Sequence, residues 1–181
     1  MKNNSHKNAS ILAVCSISTA LSVVLLFLGG ITFVLAYAMP MLVGLLMIML
    51  KTTFGTKSAW ITYTAVALLS FMLVTDKECM LMYVMLFGCY PMIRDAIERL
   101  KSKPIKILLK FLFFNIMLTL CQLALVYIFG IPFLSEGEGK YFIIVFAVLM
   151  NFLFIIYDKM IDAVTKLYKI KIEKRIKKLF K

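Results

Sequence analysis

Residues 8–30 read NASILAVCSISTALSVVLLFLGG, an apolar run in which small side chains recur on one face. Ala9, Ala13, Ser16 and Ala20 follow one another at steps of four, three and four residues, so they line up along a helix. Lipid tails are as apolar as leucine, and small residues at this spacing let two helix backbones approach closely. These four residues, the small-residue stripe, are therefore predicted to be a docking face. The partner is either another helix of the same bundle or a different protein.

The composition of the chain places it in a membrane. Of the 181 residues, 62% are hydrophobic and 17% are charged, whereas a soluble domain is roughly 45–50% apolar. The mean hydropathy is +0.94. The length suits one compact bundle, and the four cysteines show no spacing typical of metal ligands.

A bilayer crossing takes about 20 apolar residues, and six segments are candidates for one, although the third, fourth and sixth are a little short and gain length from flanking residues. The segments are residues 11–28, 31–50, 58–74, 79–93, 105–129 and 141–157. With the N-terminus inside, Lys77 and Lys140 are the only two of the 21 basic residues that fall outside, as the positive-inside rule requires. The sequence predicts an all-α integral membrane protein, a six-transmembrane-helix bundle with both termini cytoplasmic.

Two charged segments flank the last spans on the predicted cytoplasmic side. Residues 1–162 are expected to form the transmembrane domain, and residues 163–181 a basic amphipathic helix that lies on anionic lipids. That helix is attached to a membrane bundle, so a nucleic-acid partner is not expected. The link at residues 94–104 is predicted to be a short charged helix that ends at Pro104.

Pro40 lies in the second apolar segment and leaves two interpretations open. It lies either inside a full-length span, where neighbouring groups tolerate it, or in the first turn of a shorter helix. In the second case residues 31–39 form an irregular apolar loop, with Tyr37 near the lid of a pocket.

The interior of the predicted spans carries no charge. Residues 11–50, 58–75, 111–135 and 141–157 contain no Asp, Glu, His, Lys or Arg. Ion-coupled transporters place an ionisable group at mid-membrane, and membrane hydrolases need an acid–base pair or a metal cluster. The sequence therefore predicts neither an enzyme nor an ion-driven pump, and it predicts no metal site and no cofactor.

Uncharged polar residues take the place of charges in the later spans. Candidates for a neutral, outward-facing solute pocket are Tyr37, Tyr83, Gln122, Tyr127 and Asn151. Asn115 and Asn151 fall at the same predicted depth, about 15 Å into their spans. For this pair the alternative is a hydrogen bond that holds two helices together.

These features resemble the substrate-binding S component of energy-coupling factor (ECF) transporters. The resemblance covers the six spans with both ends inside, the helix ISTALSVVLLFLGG, and the segment YAMPMLVGLL that leads into the second helix. An Ala-x-x-x-Ala motif on the first helix of that family matches Ala9 and Ala13.

The resemblance implies a bacterial cell-membrane protein that captures a small vitamin-like solute from outside. In that family the Ala motif docks on a transmembrane coupling subunit driven by two cytoplasmic ATPases. The alternative is a non-transporting membrane scaffold or assembly factor that uses the small-residue stripe and the basic C-terminal segment.

Overall fold

The computed structural model describes residues 2–131 and 140–168, and every regular element in them is helical. The helices are α1 (Lys2–Gly29), α2 (Phe33–Phe54), α3 (Thr56–Leu73), α4 (Lys77–Glu98), α5 (Lys103–Phe129) and α6 (Lys140–Leu167). The all-α prediction is confirmed. Helix α6 runs without a break past residue 162, where the C-terminal segment was predicted to begin, and residues 169–181 of that segment lie outside the described residues.

Five of the helices, all except α3, contain a segment long and apolar enough to cross a membrane. Helix α3 is 18 residues long and carries Lys57 together with several serine and threonine residues. The chain is therefore a multi-pass membrane protein with five candidate spans. A crossing by α3 and the cytoplasmic position of both termini stay predictions.

Helices α2 and α4 form the centre of the bundle. Buried residues make up 61% of the apolar window in α2 and 67% of that in α4, against 28%, 22% and 17% in α1, α5 and α6. The outer helices therefore present most of their apolar side chains to lipid, as expected where hydrocarbon is the solvent.

Helix α2 decides between the two interpretations of Pro40. The helix begins at Phe33, and the side chain of the preceding Thr32 accepts a hydrogen bond from the backbone N–H of Leu35. Pro40 lies inside the helix. The full-length span is correct and the irregular loop over residues 31–39 is wrong, because the capping threonine starts the helix ahead of the proline. Tyr37 consequently lies within a helix and is buried.

Helix α4 is interrupted near its middle. A π-helical segment, Met82–Phe87, is followed by a turn at Gly88 and Cys89 before α-helix resumes at Tyr90. Pro91 has no N–H, so it cannot donate to the carbonyl of Phe87 four residues earlier. In an apolar medium that carbonyl needs another donor.

Side chains from neighbouring helices satisfy the backbone of the interrupted segment. The Tyr157 hydroxyl donates to the Phe87 carbonyl at 2.7 Å, and the Tyr63 hydroxyl donates to the Val84 carbonyl at 2.6 Å. Tyr157 is completely buried. Tyr157 therefore replaces the donor that Pro91 lacks, and Tyr63 gives the interrupted segment a second hydrogen bond from a neighbouring helix.

Gly44 of α2 faces the interruption. A Cβ atom at this position would overlap both the Tyr157 hydroxyl and the carbonyl oxygen of Phe87. The absence of a side chain therefore lets α2 approach α4 and α6 at the point where Tyr157 donates its hydrogen bond.

We predict that Gly44→Ala destabilises the bundle by about 1–3 kcal/mol, the usual cost of overpacking a tight contact. Because the Phe87 oxygen belongs to the backbone, it cannot move aside as a flexible side chain would. Unfolding in mixed detergent micelles, followed by circular dichroism, measures the change. An unaltered unfolding midpoint would contradict the close approach.

The predicted helix at residues 94–104 is wrong. Residues 94–98 continue α4 to Glu98, and α5 begins at Lys103 with Pro104 in its first turn. Proline is favoured in that position because the first N–H groups of a helix have no intrahelical acceptor. Pro104 therefore starts a helix instead of ending one.

Candidate functional site

The polar residues predicted to line a solute pocket fall into different environments. Tyr83 lies in the π-helical segment of α4, is fully buried and packs 5.7 Å from Tyr63, measured between ring centroids. Its hydroxyl is buried and has no hydrogen-bond partner in the described part of the chain. The same holds for Nε2 of Gln122 on α5. Buried polar atoms are bonded in the large majority of cases, so each such exception requires a cause.

Tyr83 and Gln122 lie at similar depths. Tyr83 is six residues from the start of α4 at Lys77, and Gln122 is seven residues from the end of α5 at Phe129. At about 1.5 Å per residue, both lie about 10 Å below the ends of helices that meet on the predicted outer side. They belong to the half of the bundle opposite the charged residues described below.

Tyr37 lies above this level and already has a partner. Its hydroxyl donates to the Glu78 carboxylate at 2.6 Å, and its ring meets Phe146 of α6 edge-on at 6.4 Å. Asp76 accepts hydrogen bonds from the N–H groups of Glu78 and Cys79 and so caps α4. Asp76 thus fixes the start of α4, and Glu78 connects that start to α2.

Asn151 is part of a closed pair with Asn115. The two side-chain amides donate to each other's oxygens at 2.9 and 3.1 Å. Each amide gives its second hydrogen to a carbonyl of its own helix, that of Phe111 or Ala147, at 2.8 Å. With all four N–H groups used, the pair has the geometry of a helix–helix contact between α5 and α6.

Tyr127 is not brought together with the other polar candidates. It lies near the end of α5, and its side chain is 82% exposed. The structure thus leaves Tyr37, Tyr83 and Gln122 as candidates in the interior of the bundle, with Tyr127 on its surface and Asn151 in a helix contact.

The small-residue stripe lies on the outside of α1. All four of its residues are exposed, whereas Cys15, Thr19 and Ser22 on the adjacent face are buried. The Thr19 and Ser22 hydroxyls donate to carbonyls one turn earlier in α1, which leaves their inner face apolar. Helix α1 therefore packs into the bundle with a second row of small residues. The stripe itself stays available to lipid or to another protein.

A network of charged side chains occupies the opposite end of the bundle. Asp158 of α6 accepts hydrogen bonds from the Tyr90 hydroxyl at 2.6 Å, from Arg94 Nε at 2.7 Å and from Lys110 Nζ at 2.8 Å. The Arg94 side chain is 8% exposed. A second arginine nitrogen binds Asp162 at 2.6 Å. One carboxylate thus joins α4, α5 and α6.

Two further groups complete this network. Glu98 pairs with Lys106 at 3.3 Å and with Lys110 at 2.6 Å. Lys51 of α2 donates to Asp95 at 2.8 Å and to the carbonyls of Pro91 and Met92. The charged residues therefore connect helices that are distant in sequence.

Sequence reasoning missed this network. It treated residues 94–104 as a separate charged helix and did not connect their charges with those of the last two spans. A signal was present: Arg94 and Glu98, Lys106 and Lys110, and Asp158 and Asp162 are each four residues apart. Residues four apart share one face of a helix, so α4 carries both signs of charge on one face, α5 carries two cations and α6 carries two anions.

We predict that Asp158→Ala destabilises the protein by about 1.5–3 kcal/mol, because Arg94 and Lys110 both lose a charge-assisted hydrogen bond and keep only the more exposed carboxylates of Asp162 and Glu98. Asp162→Ala is the matched control. Its side chain is 54% exposed, so a loss of about 1 kcal/mol or less is expected. Unfolding in mixed micelles ranks the two variants, and equal losses would contradict the central position of Asp158.

Comparisons of the chain with protein-family models, with curated proteins and with solved structures found no match. Within the described residues, no group of three His, Cys, Asp or Glu side chains is placed to hold a metal ion. The binding properties of the site therefore follow from its own residues. They offer hydrogen bonds in the interior and ion pairs at one end.

Proposed function

We propose that the chain is a membrane-embedded solute-binding subunit, similar to an ECF S component, with six crossings and both termini in the cytoplasm of a bacterial cell. It captures a small, uncharged, vitamin-like solute from outside and takes no direct part in chemistry. The observation that carries the proposal is the pair of buried, unpartnered polar groups, the Tyr83 hydroxyl and Gln122 Nε2.

An unpartnered buried polar group is costly, about 1–3 kcal/mol for each hydroxyl or amide. Sequences retain such groups where a ligand supplies the missing partner, since the bound state then recovers the cost. A hydroxyl and an amide N–H suit a solute with neutral oxygen or nitrogen acceptors. Tyr83 and Tyr63 add aromatic surface against which a flat heterocycle packs.

Tyr37 is the proposed gate residue above the solute. Its hydrogen bond to Glu78 ties α2 to the start of α4 at the outer end of the bundle. In this proposal, opening this contact gives access to the interior below it, and Glu78 then offers an acceptor to an entering solute. Tyr37 thus keeps the place near the solute that the sequence predicted. It holds that place as part of helix α2, because the predicted loop over residues 31–39 does not form.

Energy for uptake comes, in this proposal, from a coupling subunit and two ATPases. The charged groups of the network are bound to one another, and none lies between Tyr83 and the inner end as an isolated proton or ion carrier within the described helices. The exposed small-residue stripe supplies the contact with the coupling subunit, because its backbone lies open to a second helix.

We predict that Tyr83→Phe loses the solute without losing stability. Removal of an unpartnered hydroxyl leaves the free energy of unfolding of the empty protein unchanged, or raises it by up to about 1 kcal/mol. Tyr63→Phe is the control, because its hydroxyl does bind a carbonyl. This variant is expected to keep the solute and to lose about 1 kcal/mol.

Native mass spectrometry of protein purified from cells grown in rich medium detects the solute, and thermal unfolding in detergent measures stability. A solute adduct on Tyr83→Phe equal to that on the wild type would refute the binding site. Wild-type protein without any small-molecule adduct, but with a bound membrane partner, would favour the scaffold function instead.

We predict that the double variant Ala9→Leu, Ala13→Leu abolishes copurification with a coupling subunit and its ATPases, because two leucines hold the backbones apart. Both positions are exposed, so the fold is expected to tolerate the change. Ala163→Leu, an exposed alanine on α6, is the control and keeps the complex. Normal copurification of the double variant would remove the stripe from the proposal.

A further inference from the structure

A polar cavity lies among the ends of four helices, beside the charged network. Its volume is about 290 Å³, at the lower end of the roughly 300–1,000 Å³ typical of ligand sites. The polar side chains that line it are Lys51, Thr52, Thr56, Arg94, Asp95 and Thr165. The cavity is therefore large enough for a headgroup and is separate from Tyr83 and Gln122.

The helix ends place the cavity at the depth in the membrane where lipid headgroups lie. Lys51 and Thr52 lie in the last turn of α2, Thr56 begins α3, and Arg94 and Thr165 lie within five residues of the ends of α4 and α6. These helix ends mark the boundary between the apolar spans and the charged end of the bundle. A lipid in the adjoining leaflet carries its phosphate at this boundary.

The lining contains a group that lacks a partner. The Thr165 hydroxyl is buried and makes no hydrogen bond within residues 2–131 and 140–168. Lys51 and Arg94, with side chains 8% exposed, line the same cavity and supply positive charge there. A cavity lined by a hydroxyl and two cations suits a phosphate group, because charge-assisted hydrogen bonds to phosphate are among the stronger ones.

The charge of the surroundings decides which phosphate fits. The network holds four cations, Lys51, Arg94, Lys106 and Lys110, and four anions, Asp95, Glu98, Asp158 and Asp162. An anionic ligand would leave an uncompensated negative charge in a partly buried site, which is unfavourable. A zwitterionic ligand carries no net charge, so the net charge of the network with its ligand stays at zero.

We infer that this cavity binds the phosphodiester of a phospholipid whose headgroup carries an amine. Lys51 and Asp95 now pair at 2.8 Å. On binding, Lys51 and the Thr165 hydroxyl take the phosphate, and Asp95, which is 54% exposed, takes the ammonium. One ion pair is exchanged for two, and the buried hydroxyl gains its acceptor.

The inference is tested on the full-length protein in detergent by native mass spectrometry. The probes are phosphatidylethanolamine, phosphatidylglycerol and water-soluble glycerophosphoethanolamine. Thr165→Val is expected to weaken phosphatidylethanolamine binding by roughly tenfold. Thr64→Val, at an exposed threonine on α3, is the control and leaves binding unchanged.

A second variant gives a change of preference instead of a loss. Asp95→Asn removes the negative charge that pairs with the ammonium and makes the net charge of the network more positive by one, so preference shifts toward phosphatidylglycerol by roughly threefold. Lys51 keeps its two backbone carbonyl partners in this variant, which preserves the end of α2.

Three results would overturn the inference. Thr165→Val binding phosphatidylethanolamine as the wild type does would show that the cavity is not the site. An equal or larger effect of Thr165→Val on phosphatidylglycerol would refute the amine headgroup. Binding of glycerophosphoethanolamine as tight as that of the lipid would assign the cavity to a soluble phosphodiester.

Discussion

The bundle depends on one constraint: a backbone carbonyl inside a membrane needs a donor from the protein itself. Pro91 deprives the Phe87 carbonyl of its donor, and the hydroxyl of Tyr157 replaces it. This bond fixes α6 against α4, and it requires Gly44 on α2 to be without a side chain. The arrangement of three helices thus follows from one missing N–H group.

The two ends of the bundle solve different problems. At one end, eight charged side chains form a network of ion pairs, in which Asp158 neutralises Arg94 and Lys110 together. In the opposite half, two buried polar groups, on Tyr83 and Gln122, have no partner among the described residues. The charged network stabilises the bundle, and solute binding is proposed where the polar groups lack partners. The small-residue stripe lies outside both regions, on a surface that the described helices leave exposed.

Sequence reasoning succeeded where one periodicity or one composition decided the outcome. The apolar segments were recognised as helices because each backbone must satisfy its own hydrogen bonds in lipid. At the prolines the sequence was less decisive: it left Pro40 open between two interpretations, and it wrongly let Pro104 end a helix, whereas Pro104 starts one. Whether a span tolerates an internal proline depends on whether another group can donate to the carbonyl that the proline leaves without its donor, and such groups can be far away in sequence. The ion pairs were missed for a similar reason, because partners within the link were as plausible by spacing as partners on other helices.

The sequence by itself determined that the chain is helical, lies in a membrane and keeps the middle of its spans free of charge, because these properties depend on composition and on local periodicity. Only the tertiary structure decided that the small-residue stripe faces outward, that Asn115 and Asn151 satisfy each other, and that Tyr83 is buried without a partner among the described residues. A helix has several apolar faces in lipid, and hydropathy does not distinguish the one that meets protein from the one that meets hydrocarbon.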